Sequence, residues 1–250
     1  MRNHKGTLAT LLTEQGFGTK KECARLVWAG LVETGRMEGA EIRWTMAKEP
    51  AEQVTSEGLH LRVNGLTLPC MENLYLAFHK PVNTECSHSP SHYQSIFAFF
   101  PTPFLTRGLE AVGRLDADTT GLLLLSDSGP FNHFFTSPKR HVPKTYRVGA
   151  KHPISPEQKD RLEAGVELRN EDGMTLPAKV RLLGEKECDM TLEEGKYHQV
   201  KRMFAAVGNR VETIHRIAIG SLRLEDSLAA GQWKILDARD LAALGYSEGI

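Results

Sequence analysis

The densest grouping of unusual chemistry in this 250-residue chain is the segment Gly113–Gly129, GRLDADTTGLLLLSDSG. Three readings of its acids compete. In the first, Asp116, Asp118, Thr120, Gly121 and Asp127 fall on positions 1, 3, 5, 6 and 12 of a calcium loop, with Leu123 at the apolar position 8. Thr at position 5 and Asp at position 12 weaken it. So does Ser128-Gly129-Pro130, which breaks the chain where an exiting helix should continue. In the second, Asp116-Ala117-Asp118 is the D-x-D metal site of a sugar-nucleotide transferase. That pattern is short enough to arise by chance, and no Gly-rich phosphate loop accompanies it. In the third, one carboxylate on a turn ahead of a strand attacks a sugar or a base and forms a covalent intermediate without metal. Such a carboxylate must be ionised, so a fixed cation should stand close by. Spacing alone does not choose between Asp116 and Asp118.

The cation must come from a chain with no net charge, since 31 Lys+Arg balance 31 Asp+Glu. Neutrality hides an uneven distribution. Residues 1–75 hold nine bases and nine acids, whereas residues 130–150 carry Lys139, Arg140, Lys144 and Arg147 and no acid. Residues 196–216 carry Lys196, Lys201, Arg202, Arg210 and Arg216 against Glu212 alone. Phe131, Phe134, Phe135 and Tyr146 sit in the first basic segment, and Tyr197, His198 and Phe204 in the second. Bases for phosphates and flat rings for stacking are what an unstacked polynucleotide requires. Two ordinary solvated faces would have the same composition.

A hydrophobic fraction of 40% and a charged fraction of 25% are those of a soluble globular protein. The longest aliphatic run, Leu122–Leu125, is far below the ~20 residues needed to cross a bilayer. The N-terminus lacks an apolar stretch of signal-peptide length, so a cytoplasmic protein is expected. Cys23, Cys70, Cys86 and Cys188 are widely spaced, as for free thiols in a reducing compartment. Cys86, His88 and His92 form a further metal-like cluster, and Ser89-Pro90-Ser91 turns the chain inside it. No metal is expected there.

The elements that must position these residues fall into two groups. Thr7–Gln15 and Lys20–Ala29 read as short helices, the second with Cys23, Ala24, Val27 and Trp28 on its apolar side. Leu59–Val63 and Leu66–Leu68 flank Asn64-Gly65, a hairpin signal. Met37–Glu57, with five Glu, reads as an extended or partly inserted segment. A small α+β unit over residues 1–70 follows, with a linker at Pro69–Asn73. Beyond it Leu74–His79, Gly121–Ser126, Thr145–Val148, Ala178–Leu183 and Glu187–Leu192 read as strands. Ser155-Pro156-Glu157-Gln158 is a capping box with proline at the first helical position. Lys196–Val207 carries Val200, Met203, Phe204 and Val207 on one helical stripe. Strands outnumber helices without alternating with them. The expected class is therefore α+β with a mainly antiparallel, mixed sheet over residues 74–250.

Three motifs then occur in order. Gly113-Arg114-Leu115-Asp116 with Thr119-Thr120-Gly121-Leu122-Leu123-Leu124 strongly resembles the signature of RNA pseudouridine synthases of the RsuA/RluA superfamily. His79-Lys80-Pro81 is similar to that family's opening strand end, and Thr136-Ser137-Pro138 with Lys144-Thr145-Tyr146 resembles its second motif. Glu194–Phe204 resembles its third, in the form of the branch acting on small-subunit 16S rRNA. The N-terminal unit is similar to the S4-like RNA-binding domain of that branch. It departs in reading Leu8-Ala9-Thr10-Leu11 for Arg-Leu-Asp-Lys, and Val32-Glu33-Thr34-Gly35 for Val-x-Val-Asn-Gly.

The resemblance implies isomerisation of a uridine already in ribosomal RNA, with no cofactor, by a monomer acting on free rRNA or an assembling subunit. It implies Asp116 as the catalytic carboxylate, Lys201 as its basic partner, Tyr146 as the ring that stacks on the flipped uracil, and Arg114 as a group holding the flipped state. Lys139, Arg140, Lys144, Lys196, His198 and Arg202 are the expected RNA contacts. Modification of 23S rRNA by a related branch, or a non-catalytic role in rRNA binding or ribosome assembly, are the alternatives.

Overall fold

The computed structural model describes residues 5–247. The chain divides into two compact units. The first runs through Leu74 and is joined by Phe100–Glu110; the second comprises Tyr75–Phe99 and the chain from Ala111 onward. The contribution of Phe100–Glu110 to the first unit was not foreshadowed by composition. Its anchor is Arg107, whose guanidinium donates to Gln15 Oε1 (3.2 Å) and to the carbonyls of Met71 (3.0 Å) and Glu72 (2.8 Å). Gln15 also clasps Met71 through both its amide atoms, so the expected linker at Pro69–Asn73 is tied down.

In the first unit, helices Leu8–Glu14 and Lys20–Trp28 precede an antiparallel sheet. Its strand order is Glu41–Met46, Val32–Glu38, Leu59–Val63, Leu66–Pro69. Thr19 and Glu22 form a reciprocal capping box on the second helix. Leu8, Leu11, Leu12, Cys23, Val27, Val32 and Leu61 make the core. Trp28, expected on the apolar side, is instead 69% exposed. Met37–Glu57, expected to be extended or partly inserted, is largely extended, because Val32–Glu38 and Glu41–Met46 pair as a hairpin. Its Glu residues hide the alternation, since Ile42 and Trp44 are only half-buried. They lie over Gly35, where a Cβ would come within 2.5 Å of Ile42 and 2.7 Å of Trp44. Val32-Glu33-Thr34-Gly35 is therefore continuous strand.

The second unit is built on one large sheet. Along it lie Lys179–Leu182, Glu187–Leu192, Lys144–Ala150, Val211–Ile219, Thr120–Ser126, Tyr75–Lys80 and Trp233–Ile235. Every neighbouring pair is antiparallel except Thr120–Ser126 with Val211–Ile219, which is parallel. The sheet is thus mixed and mainly antiparallel. One face packs Val148, Met190 and Leu192 against helices Pro156–Ala164 and Gln199–Ala206 through Leu162, Val200, Met203 and Phe204. The other face packs Tyr75, Ala77, Leu122 and Leu124 against Phe131 and Phe135 of helix Gly129–Thr136. Covered on both faces, Thr120–Ser126 reads as an unbroken aliphatic run rather than an alternating one. That strand also argues against a calcium loop at Asp116, since it occupies the second half such a loop would need; Ser128-Gly129-Pro130, expected to break the chain, instead caps and opens helix Gly129–Thr136.

The helix expected from Lys196 begins only at Gln199, because His198 adopts a left-handed conformation (φ 48°, ψ 35°). The parallel pairing needs Gly121, whose φ is +104°. A Cβ there would meet the Arg216 carbonyl oxygen at 2.3 Å and its nitrogen at 2.6 Å. Replacing Gly121 by Ala should therefore cost about 2–3 kcal/mol and lower the melting temperature by roughly 5–10 °C. A thermal melt within 1–2 °C of wild type, on the scale of an ordinary surface change of about 0.5 kcal/mol, would contradict this close approach.

Candidate active site

The loop carrying the acids is fixed before any substrate arrives. Lys80, at the end of Tyr75–Lys80, is fully buried, and its ammonium donates to the carbonyls of Thr119 (2.9 Å), Pro81 (3.1 Å) and Ala117 (3.3 Å). Burial lowers its pKa, while Cys86, Asp118 and Asp116 oppose that shift. Three carbonyls replace the water a buried ammonium loses. Asn83 N–H donates to the Ala117 carbonyl (2.8 Å), and Thr119 N–H to that of Asp116 (3.1 Å). Sequence reading placed Lys80 only as a strand end. The readable signal was a lysine closing an otherwise apolar strand.

On this loop Asp116 points into a cleft, which it lines with Arg114, Thr119, Tyr146, Lys196, His198, Lys201 and Ile214. Each Asp116 oxygen has a partner. Lys201 Nζ lies 3.0 Å from Oδ2, and His198 Nε2 lies 3.3 Å from Oδ1. Lys201 also reaches both oxygens of Asp118, at 2.7 and 2.9 Å. Distance alone would favour Asp118, but its side chain is 65% exposed against 30% for Asp116, and it does not line the cleft. Burial works against the Lys201 ammonium, yet the hydrogen bonds it donates to Asp118 and Asp116 outweigh it and raise its pKa above the ordinary lysine value. Lys201 thus stays charged at any physiological pH. It stands in the first turn of Gln199–Ala206, where the helix dipole also favours a carboxylate.

The loop leading to that helix is clipped in place. Gln199 accepts from Lys196 N–H (2.9 Å) and donates to Glu194 (2.6 Å). Arg202 pairs with Glu171 and donates to the Tyr197 carbonyl (3.2 Å), while Lys196 pairs with Glu171 at 2.9 Å. A left-handed residue other than glycine costs on the order of 1–2 kcal/mol, and this scaffold holds His198 there. Tyr146 is half-buried, packed against the apolar core while lining the cleft. Arg114 is exposed at the rim.

The six expected RNA contacts differ in availability. His198 is engaged with Asp116, and Lys196 and Arg202 share Glu171. Lys139 and Arg140 are exposed on the turn after Gly129–Thr136, with the Arg140 guanidinium 4.8 Å over the Phe134 ring. Lys144 donates to the Val142 carbonyl (3.0 Å). Behind it Arg216 is 3% exposed, with Nε on the Leu122 carbonyl (2.7 Å) and one terminal nitrogen unpartnered. Among the described residues no cluster of His, Cys, Asp or Glu is placed to hold a metal ion. In the Cys86 region, His88 stacks on Phe97 (3.6 Å between centroids).

Comparison with known proteins adds to this geometry. A family model described as RNA pseudouridylate synthase matches residues 74–206. The ribosomal small subunit pseudouridine synthase A of Vibrio vulnificus is 37% identical over 225 residues, covering 89% of this chain and 92% of that protein. The protein of the same name from Pasteurella multocida is 44% identical over 168 residues, 67% of this chain and 72% of that one. A crystal structure titled pseudouridylate synthase aligns with a TM-score of 0.66 at 34% identity, covering 95% of this chain and 99% of that one.

Burial, followed by the nearby Arg216 charge, pushes the Lys144 pKa down to about 8. Between about 8 and the ordinary 10.5 the unfolded chain holds a proton that the folded one lacks. Folding stability should therefore rise with pH across that window, and Lys144→Met should remove that part of the rise. Denaturant unfolding of both proteins at several pH values checks this; identical pH slopes would contradict it.

Proposed function

This chain belongs to the RNA pseudouridylate synthase family, and on that premise we propose that it converts a uridine of small-subunit ribosomal RNA to pseudouridine, with Asp116 as the reacting carboxylate. One observation carries the assignment of the site. Asp116 is the carboxylate of a cleft lined by an aromatic ring, Tyr146; one of its oxygens accepts from Lys201 and the other lies 3.3 Å from the His198 imidazole.

The reaction breaks the C1′–N1 bond, turns the uracil and forms a C1′–C5 bond. C5 gives up its proton and N1 gains one. Reactant and product are isomers, so neither oxidant nor group donor is required. The reacting atoms are inaccessible in a stacked helix, and extruding the base costs a few kcal/mol.

Within the cleft, Tyr146 offers its ring to the flipped uracil, and its packing on the core keeps that ring in one orientation. Asp116 then acts in its ionised form, either by adding to the nucleoside or by taking a proton from the sugar. Lys201 stabilises that form, and Asp118 shares the ammonium and steadies it. Arg114, exposed at the rim, helps hold the extruded state. Lys139, Arg140 and Lys144 offer positive charge to the phosphates. Lys196 and Arg202 serve chiefly through Glu171, by shaping the loop that carries His198. The first unit is a divergent S4-like module that adds RNA contacts. Its equal numbers of acids and bases make that contribution weaker than one from a strongly basic module. The protein works in the cytoplasm as a monomer, on free 16S rRNA or an assembling small subunit.

Tritium release from small-subunit rRNA labelled at C5 of uridine tests these assignments. Asp116→Asn should lower turnover by at least about three orders of magnitude with RNA affinity nearly unchanged. Conversion at the wild-type rate would refute the role of Asp116, and RNA binding by the wild-type protein without release would refute the activity. Lys201→Met should lose roughly a hundredfold in turnover with only a modest loss of binding, whereas Asp118→Asn should lose less than about tenfold. The reverse order between Asp116 and Asp118 would transfer the catalytic role to Asp118.

A further inference from the structure

Tyr197 is a large aromatic side chain left 75% exposed beside the cleft. Its ring stacks on the His198 imidazole, with centroids 3.8 Å apart and planes inclined by 23°. That imidazole in turn touches Asp116. High exposure leaves the other face of the Tyr197 ring open to solvent. The ring is not on a loose tether. Its own carbonyl accepts from Arg202, its preceding residue is ion-paired to Glu171, and Gln199 clips the loop on the far side. An apolar ring held rigidly in water gains by stacking against another flat surface.

The geometry points to Tyr197 as the stacking platform for the base next to the target uridine. This inference rests on the proposed pseudouridine synthase reading. A nucleotide whose uracil has entered the Asp116 cleft leaves its neighbour without one stacking partner. Tyr197 offers a ring within one residue of the group that touches Asp116, which places it where that neighbour emerges. Tyr146 and Tyr197 would then divide the work, one receiving the reacting base and the other its neighbour. Base–aromatic stacking tolerates any sequence, so the platform would act on affinity rather than on the identity of the base. Tyr197 does not touch the reacting atoms and is a positioning residue.

The test uses the full-length protein and a 16S rRNA transcript, measuring kcat, KM and the transcript Kd by filter binding. Tyr197→Ala should raise KM and Kd about tenfold with kcat within about twofold. Tyr197→Phe and Tyr197→Trp should behave as wild type, because only a flat ring is required. On a short RNA bracketing the uridine that the protein converts, an abasic nucleotide at the flanking position should weaken the wild-type protein and abolish its advantage over Tyr197→Ala. Unchanged KM and Kd in Tyr197→Ala would overturn the inference, as would an equal loss in Tyr197→Phe or an advantage that survives the abasic substitution. A melting curve confirms that the exposed substitution leaves the fold intact. If the wild-type protein makes no pseudouridine, the reading of the active site fails on that result. The filter-binding comparison then still decides the role of Tyr197.

Discussion

One ammonium group organises this site. Lys201 holds two carboxylates, Asp116 and Asp118, that lie 85 and 83 residues away in the chain. Two carboxylates gathered on one side chain repel each other, and the ammonium between them offsets that repulsion. The pair in turn keeps the lysine charged despite its partial burial. The arrangement joins the loop before Thr120–Ser126 to the first turn of Gln199–Ala206. The site therefore exists only when both elements are docked on the same sheet.

Each side of that contact has its own support. On the loop side, the buried ammonium of Lys80 gathers three carbonyls, and Gly121 lets the strand behind the loop lie against Arg216. On the helix side, a chain of polar contacts from Glu194 through Gln199 and Lys196 to Glu171 and Arg202 holds His198 in its left-handed conformation. Geometry of this kind belongs to a site assembled in advance, in which catalytic groups need little reorganisation when substrate enters. Binding energy from the RNA can then go toward drawing the uridine out of its stack.

Much of this was legible in the sequence, for local reasons. The Asn64-Gly65 hairpin and the Ser155 capping box depend on chemistry within a few residues, and both formed as written. The mixed, mainly antiparallel sheet followed from strands that did not alternate with helices. The cleft residues Arg114, Asp116, Tyr146 and Lys201 could be named from motifs, and they line one cavity. What stayed hidden depends on distant partners. Nothing near Phe100–Glu110 shows that Arg107 will grip Gln15 and the chain after Pro69. The polar Glu41–Met46 strand and the late start of the helix at Gln199 reflect tertiary contacts that override local pattern. Charge counts likewise could not tell that Lys196 and Arg202 were committed to Glu171 and Lys144 half-buried on the Val142 carbonyl, which leaves Lys139 and Arg140 as the exposed cations.

In the proposed reaction the carboxylate held by Lys201 is the one that meets an unstacked nucleoside. The most direct measurement is a crystal structure of the protein with a small-subunit rRNA fragment carrying 5-fluorouridine at the modified position. The fluorinated base is expected out of its helix, against the Tyr146 ring, with its sugar or ring carbon in contact with Asp116 and Lys201 still paired to that side chain. A complex in which the nucleoside stays stacked in the RNA, or lodges away from Asp116, would contradict it.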